Sequence, residues 1–139
     1  MTVLDASVVV GGLVLPRSQA IDDLIRGQIV RISTLNVAEV VDILMRRYGV
    51  EEDEVIDRID LLRQAGLMIE PLSARGALDA GSLRARRYDR QTAAVSLADC
   101  VAIALAADVG EPIASTDRAL LAVAVAEGIP VIELPPFGA

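Results

Sequence analysis

Short apolar runs alternate with segments of helical period along this chain, and the alternation limits the folds open to it. Runs typical of buried strands occupy residues 2–9, 29–34, 67–70, 112–115 and 130–134. Segments with helical periodicity lie between them, near 17–26, 36–48, 51–65, 73–88, 97–108 and 117–127. Such alternation is typical of a mostly parallel sheet that is covered by helices on both faces. The sequence therefore predicts one α/β domain over residues 1–139, with a central five-stranded sheet flanked by helices.

The composition excludes several kinds of functional group. The chain has no histidine, which removes imidazole as an acid–base catalyst or a metal ligand, and all 13 of its basic residues are arginine. A net charge of −7 disfavours broad electrostatic adhesion to DNA or to membranes. The single cysteine, Cys100, permits no internal disulfide and fits a reducing compartment. Without a signal-peptide pattern or an apolar run of membrane-span length, we expect a cytoplasmic protein with no membrane contact.

An aspartate interrupts the first apolar run, "TVLDASVVV". An ionised Asp5 inside a buried strand would be costly without a partner. Pairing with a buried arginine is one explanation, although the run itself contains no arginine. The alternative is that the strand ends just after Asp5. In open parallel sheets functional residues collect beyond the carboxyl ends of the strands, so Asp5 would then belong to a pocket there.

Three further acids fall near predicted strand or helix ends: Glu39 in "NVAEV", Asp99 in "SLADC" and Asp117 in "STDRAL". Each has a structural explanation. The pairs Asn36–Glu39 and Ser96–Asp99 have the spacing of reciprocal helix caps, and Asp117 is suited to cap the last helix by itself. Alternatively, all four acids converge on one pocket, where they would repel each other unless a cation joined them. Oxygen ligands without histidine or thiolate favour Mg²⁺ or Mn²⁺.

Four stretches together resemble a known family: "MTVLDASVVV", "STLNVAEVVDILMRR", "SLADCVAIALAADVGEPIASTDRAL" and "IPVIEL". In this order they are similar to a PIN domain of the VapC type, the ribonuclease toxin of a toxin–antitoxin pair. The resemblance implies a Mg²⁺- or Mn²⁺-dependent endoribonuclease that acts on RNA. It also implies a homodimer that a small cognate antitoxin of the VapB type holds inactive.

The resemblance also implies roles for individual residues. Asp5 and Asp99 would be the principal metal ligands, and Glu39 and Asp117 would complete the catalytic set directly or through water. Ser7 and Thr116 match positions where a small hydroxyl lines the site, whereas Cys100 stands where an arginine is common. Because the chain lacks histidine, the nucleophile would be a water whose pKa the metal lowers.

Four arginines in "LRARRYDR" are the basic residues best suited to guide RNA phosphates: Arg84, Arg86, Arg87 and Arg90. A solvated helix end, or an interface of salt bridges, explains the same letters. Arg46 and Arg47 have the same two interpretations.

The segments "NVAEVVDILMRR" and "SQAIDDLIRG" are more apolar than a solvated surface requires, so we expect another chain to cover part of them. Two alternative functions stay open. One is a catalytically inactive PIN-like module that works by protein binding, against which the intact acid set argues. The other is a PIN nuclease of RNA processing without an antitoxin, against which the short chain argues.

Overall fold

A computed structural model of the protein describes residues 1–14 and 23–136. It contains a five-stranded sheet in which every neighbouring pair of strands is parallel. The strands are β1 (Thr2–Leu4), β2 (Val30–Ser33), β3 (Leu67–Glu70), β4 (Ile113–Ser115) and β5 (Val131–Glu133). Their order across the sheet is β3-β2-β1-β4-β5, so β1 lies at the centre. The predicted α/β fold with a five-stranded sheet is confirmed, and the sheet is parallel throughout.

Helices cover both faces of this sheet. They are α1 (Ala6–Val14), α2 (Thr34–Tyr48), α3 (Glu52–Ala65), α4 (Ala74–Arg87), α5 (Leu97–Val109) and α6 (Arg118–Ala126). Leu4 belongs to a core that includes residues of α1, α2 and α3, whereas Val3 belongs to a second core with residues of α4, α5 and α6. Successive strand residues point to opposite faces, so the sheet separates the two cores. No helix in the described part of the chain is long and apolar enough to span a membrane.

The first apolar run does not form the strand predicted for residues 2–9. Strand β1 ends at Leu4, and α1 begins at Ala6. Valines favour strands, and Val8, Val9 and Val10 are all buried in α1. A helix buried on several sides carries little amphipathic period, so periodicity could not distinguish it from a buried strand. Asp5 therefore lies at a strand–helix junction, as the second interpretation of this run expected.

The remaining elements agree with their predicted positions. The other four strands start and end within one residue of the predicted bounds, and the helices from α2 onward do so within two residues. The helix predicted near residues 17–26 falls largely on residues 15–22, which lie outside the described residues, while residues 23–25 are helical.

Parallel strands all end at the same edge of their sheet, and this carboxyl edge gathers the chain's strand–helix junctions. Helices α1, α2 and α6 begin within three residues of the last residues of β1, β2 and β4. Helix α5 also begins at this edge, because it runs antiparallel to β4, which follows it. Gly110, with a left-handed φ of 67°, ends α5 before the chain enters β4. Residues from distant parts of the chain thus meet at the carboxyl edge.

Candidate active site

Asp5 lies at the carboxyl edge directly after the central strand and is only 3% exposed. Both of its carboxylate oxygens accept hydrogen bonds. Ser7 Oγ donates to Oδ1 at 2.7 Å, and Ser115 Oγ donates to Oδ2 at 2.8 Å. The backbone N–H of Val8 also points at Oδ1, at 3.4 Å. These bonds fix the orientation of the carboxylate.

The two serines also bind the loop that follows β4. Ser7 Oγ accepts from the backbone N–H of Thr116 at 3.2 Å, and Ser115 Oγ accepts from that of Asp117 at 2.9 Å. A hydroxyl carries one hydrogen, and a backbone N–H cannot accept it. Each serine therefore directs its hydrogen to Asp5. The network suits an ionised carboxylate that accepts from both sides, and it ties the loop after β4 to the end of β1.

Burial raises the pKa of the Asp5 carboxyl from 3.8 to about 6. The hydrogen bonds from Ser7, Ser115 and Val8 oppose this shift, and the negative charge of Asp99 adds to it. Burial disfavours the charged form of an acid, whereas bonds donated to that form favour it. At neutral pH Asp5 is mainly ionised, and the fold carries the cost of a buried negative charge.

The structure brings the other three predicted acids to the same edge. Burial, followed by repulsion from Asp99 and then from Asp117, raises the pKa of Glu39. Burial also raises the pKa of Asp99, and the charge of Asp117 adds to that shift. The charge of Asp99 acts on both Asp5 and Glu39, so the four carboxylates form one electrostatically coupled group.

Two of these acids also cap helices, as their spacing predicted. Asp99 Oδ2 accepts from the N–H of Ser96 at 2.8 Å, and Ser96 Oγ accepts from the N–H of Asp99 at 3.0 Å. Asp117 Oδ1 accepts from the N–H groups of Ala119 and Leu120, at 2.9 and 3.4 Å. Within the described residues, the second oxygen of each carboxylate has no hydrogen bond. Capping and cation binding are therefore compatible in the same side chain.

The predicted capping pair of Asn36 and Glu39 is wrong. Helix α2 begins at Thr34, and its N-cap is Ser33, whose Oγ accepts from the N–H of Asn36 at 3.1 Å. Ser33 is the last residue of β2, so the helix starts two residues earlier than its apolar period indicated. Asn36 then occupies the first turn, and its side chain points inward with none of its area exposed.

The hydroxyl residues differ in what they contribute. Ser7 contacts Asp5 directly, whereas Thr116 contributes its backbone N–H rather than its side chain. Sequence reasoning missed Ser115, which is fully buried and binds the second oxygen of Asp5. Its position two residues before Asp117, at the end of a predicted strand, was the available signal.

Arg86 and Arg87 form ion pairs outside the group of four candidate-site acids. Both form ion pairs with Glu127, at 3.2 and 2.7 Å. Glu127 follows the last residue of α6, about 15 Å along the helix from Asp117 at a rise of about 1.5 Å per residue. For these two residues the structure matches the salt-bridge interpretation.

Arg84 has a different environment. Its Nε donates to the carbonyl of Val95 at 2.9 Å, and its guanidinium lies over the ring of Tyr88, 4.4 Å from the ring centroid. Val95 directly precedes the N-cap of α5, so Arg84 is anchored beside the start of the helix that carries Asp99. Arg90 is exposed to solvent.

The four carboxylates suit a hard cation by their chemistry. They supply only oxygen atoms, and their mutual repulsion would be relieved by positive charge. Across residues 1–14 and 23–136, no three acidic or cysteine side chains lie close enough together to hold a metal ion. Asp5 is held by its two serines, while one carboxylate oxygen each of Asp99 and Asp117 accepts no hydrogen bond within the described residues.

The sequence profile of the PIN domain matches residues 2–132. This chain belongs to the PIN domain family. The family resemblance predicted from the sequence is thus confirmed, and solved structures agree with it. VapC20 of Mycobacterium tuberculosis, a sarcin–ricin loop cleaving toxin, superposes with a TM-score of 0.72 at 17% identity, over 98% of this chain and 100% of its own.

Two toxin–antitoxin assemblies are also similar to this PIN domain. DNA-bound VapBC from Salmonella typhimurium gives a TM-score of 0.73 at 14% identity, over 95% of this chain and 96% of that one. A toxin–antitoxin complex from Klebsiella pneumoniae gives 0.67 at 19% identity, over 96% and 100%. At such identities the similarity demonstrates the fold. No curated protein sequence matches the chain.

Proposed function

We propose that this PIN domain is a Mg²⁺- or Mn²⁺-dependent endoribonuclease and the toxin of a VapBC-type toxin–antitoxin pair. The observation that carries the proposal is Asp5, a buried carboxylate with a raised pKa in the company of three other acids. This arrangement costs stability, and perturbed carboxylates of this kind cluster at functional sites. The toxins among the structural neighbours support the same function.

The four acids form two pairs with different parts in this proposal. Asp5, oriented by Ser7 and Ser115, and Asp99, oriented by its capping bond, would be the principal ligands. Glu39 and Asp117 would complete the site directly or through water. A divalent cation at such a site lowers the pKa of a bound water and offsets the charge of a phosphodiester.

Arg84 is the arginine that we propose to contact RNA. Its bond to Val95 and its stacking on Tyr88 fix the plane of the guanidinium near the start of α5. Within the described residues its two terminal nitrogens have no acceptor, and a guanidinium edge binds phosphate oxygens in pairs. The exposed Arg90 is a further phosphate contact in this proposal, whereas Arg86 and Arg87 are occupied by Glu127.

A second chain is part of the proposal. Helices α2 and α3 expose large apolar side chains, among them Met45, Tyr48, Ile56 and Leu61. Several large exposed apolar side chains on neighbouring helices are consistent with a protein interface. The protein's own core already covers much of "NVAEVVDILMRR", and half of "SQAIDDLIRG", residues 18–22, lies outside the described residues. We propose an antitoxin as one partner and a second copy of this chain as the other, which sedimentation with and without the product of the adjacent gene would test.

The catalytic proposal is tested by melting temperature and by RNA cleavage, each with and without millimolar Mn²⁺. We expect Mn²⁺ to raise the melting temperature of the wild type by mass action. Asp5→Asn and Asp99→Asn should lose that response and lower cleavage by several orders of magnitude. Asp108→Asn is the matched control, because Asp108 is exposed near the other end of α5.

Two outcomes would contradict the proposal. One is a wild-type melting temperature that is the same with and without Mn²⁺. The other is an Asp99→Asn protein that cleaves RNA at the wild-type rate. A Mn²⁺ response without cleavage of any RNA would favour the inactive protein-binding module instead.

A further inference from the structure

We infer that Asn36 is a positioning residue that sets the placement of Glu39 relative to the start of α5, and thereby the affinity of the acidic site for a divalent cation. The inference rests on the proposed function. The starting observation is that Asn36 is completely buried, although its side chain has a hydrogen-bond donor and an acceptor. A buried amide is costly unless its polar atoms are bonded.

The amide of Asn36 joins three elements. Its Nδ2 donates to the backbone carbonyl of Ala98 at 3.1 Å, and also points at Glu39 Oε1 at 3.5 Å. Its Oδ1 accepts a short hydrogen bond from Ser33 Oγ. The side chain therefore connects the end of β2 and the first turn of α2 to the first turn of α5. Ala98 is the residue before Asp99, so the contact lies beside two of the acids.

Helix formation does not require this side chain. Ser33 already caps α2 by accepting from the backbone N–H of Asn36. An apolar residue at position 36 would leave Ser33 Oγ and the Ala98 carbonyl without this partner. An aspartate would keep the acceptor, lose the donor and add a charge next to Glu39. These contacts require a side chain with one acceptor and one donor, which an amide provides.

The consequence concerns two acids that repel each other. Repulsion between Glu39 and Asp99 tends to separate their carboxylates, and with them α2 and α5. The bond from Asn36 to Ala98 resists this separation before any cation arrives. A site held in place beforehand loses less free energy on binding, and removal of partners behind a ligand typically weakens metal affinity by about 10- to 100-fold.

The test measures Mn²⁺ affinity in the absence of RNA, from the Mn²⁺ dependence of the melting temperature of the full chain. The variants are Asn36→Leu, which keeps the number and branching of the side-chain heavy atoms, and Asn36→Ala, which avoids steric conflict if the larger leucine does not fold. The control is Ser73→Ala, which removes the N-cap of α4, where Ser73 Oγ accepts from Gly76 N–H at 2.9 Å. A purely structural loss should lower the melting temperature in EDTA and leave the Mn²⁺ affinity unchanged.

We expect Ser73→Ala to lower the melting temperature in EDTA without changing the Mn²⁺ affinity. We expect the Asn36 variants to weaken Mn²⁺ binding by about tenfold or more. In a Glu39→Gln background the further loss caused by Asn36→Ala should be smaller, because one of the two positioned acids is already altered. A folded Asn36 variant with wild-type Mn²⁺ affinity would overturn the inference and leave the proposed function standing. A wild type that does not respond to Mn²⁺ would overturn both.

Discussion

Replacement of Asp5 by asparagine should stabilise the cation-free protein at alkaline pH, although it removes a proposed catalytic ligand. The Asp5 carboxyl has a pKa of about 6 in the fold, against 3.8 as its ordinary value. A difference of about two units corresponds to roughly 3 kcal/mol, at about 1.4 kcal/mol per unit. This is the free energy that the ionised, buried carboxylate withdraws from folding.

Proton binding determines whether the free energy of unfolding rises or falls with pH. Between the two pKa values the folded protein retains the proton on Asp5, while the unfolded chain has released it. The unfolded state binds fewer protons there, so the free energy of unfolding falls as pH rises through this window. The penalty is small below about pH 4, and it is fully present somewhat above pH 6. Asparagine cannot ionise and carries no such penalty.

Lost hydrogen bonding offsets part of the gain. The amide of asparagine can accept from only one of Ser7 and Ser115, and a lost hydrogen bond costs about 1 kcal/mol. We therefore expect Asp5→Asn to be about 1–2 kcal/mol more stable than the wild type at pH 8, and slightly less stable at pH 4. The difference between the two proteins should change by about 2 kcal/mol across this range, whatever the hydrogen bonds contribute, because part of the penalty is already present at pH 4.

Urea unfolding in EDTA at pH 4 and pH 8 measures this change. The pKa values of Glu39 and Asp99 are also raised, so these acids also make the free energy of unfolding depend on pH. This contribution occurs in both proteins and largely cancels when the free energy of unfolding of the wild type is subtracted from that of Asp5→Asn. Asp108→Asn is the control and should show no such change. The reasoning is refuted if the difference between Asp5→Asn and the wild type is the same at both pH values. With Mn²⁺ added at pH 8, the wild type and Asp108→Asn should gain stability, and Asp5→Asn should not.

Three other predictions concern single residues. Ser115→Ala should lower the free energy of unfolding at pH 8 by about 1–3 kcal/mol, measured in urea, because the buried Asp5 loses a donor; an unchanged midpoint would refute the role of this bond. Burial raises the pKa of the Cys100 thiol to about 11, so a thiol reagent at pH 8 should modify Cys100 far more slowly in the native protein than in urea. Arg84→Ala, in an Asp5→Asn background, should weaken RNA binding by about tenfold in fluorescence anisotropy, whereas Arg86→Ala should not; equal effects would contradict the distinction between them.

Local patterns in the sequence predicted the class of fold and the neighbourhood of the candidate site. Strands β2 to β5 and helices α2 to α6 were predictable because apolar period is local information. Parallel strands end at one edge, so acids at strand and helix ends could be assigned to a common pocket. The caps formed by Asp99 and Asp117 were also local, since donor and acceptor lie within a few residues of each other.

Which side chains meet depends on contacts between elements that are far apart in the sequence. Helix α1 was predicted as a strand because packing from several sides removes the period that identifies a helix. The bond from Ser115 to Asp5 spans 110 residues, and the bond from Asn36 to Ala98 spans 62. Glu127 binds Arg87 across 40 residues and withdraws it from the predicted RNA-binding cluster. Local period specifies an element, but the partner of a side chain depends on which elements the sheet and its two cores bring together.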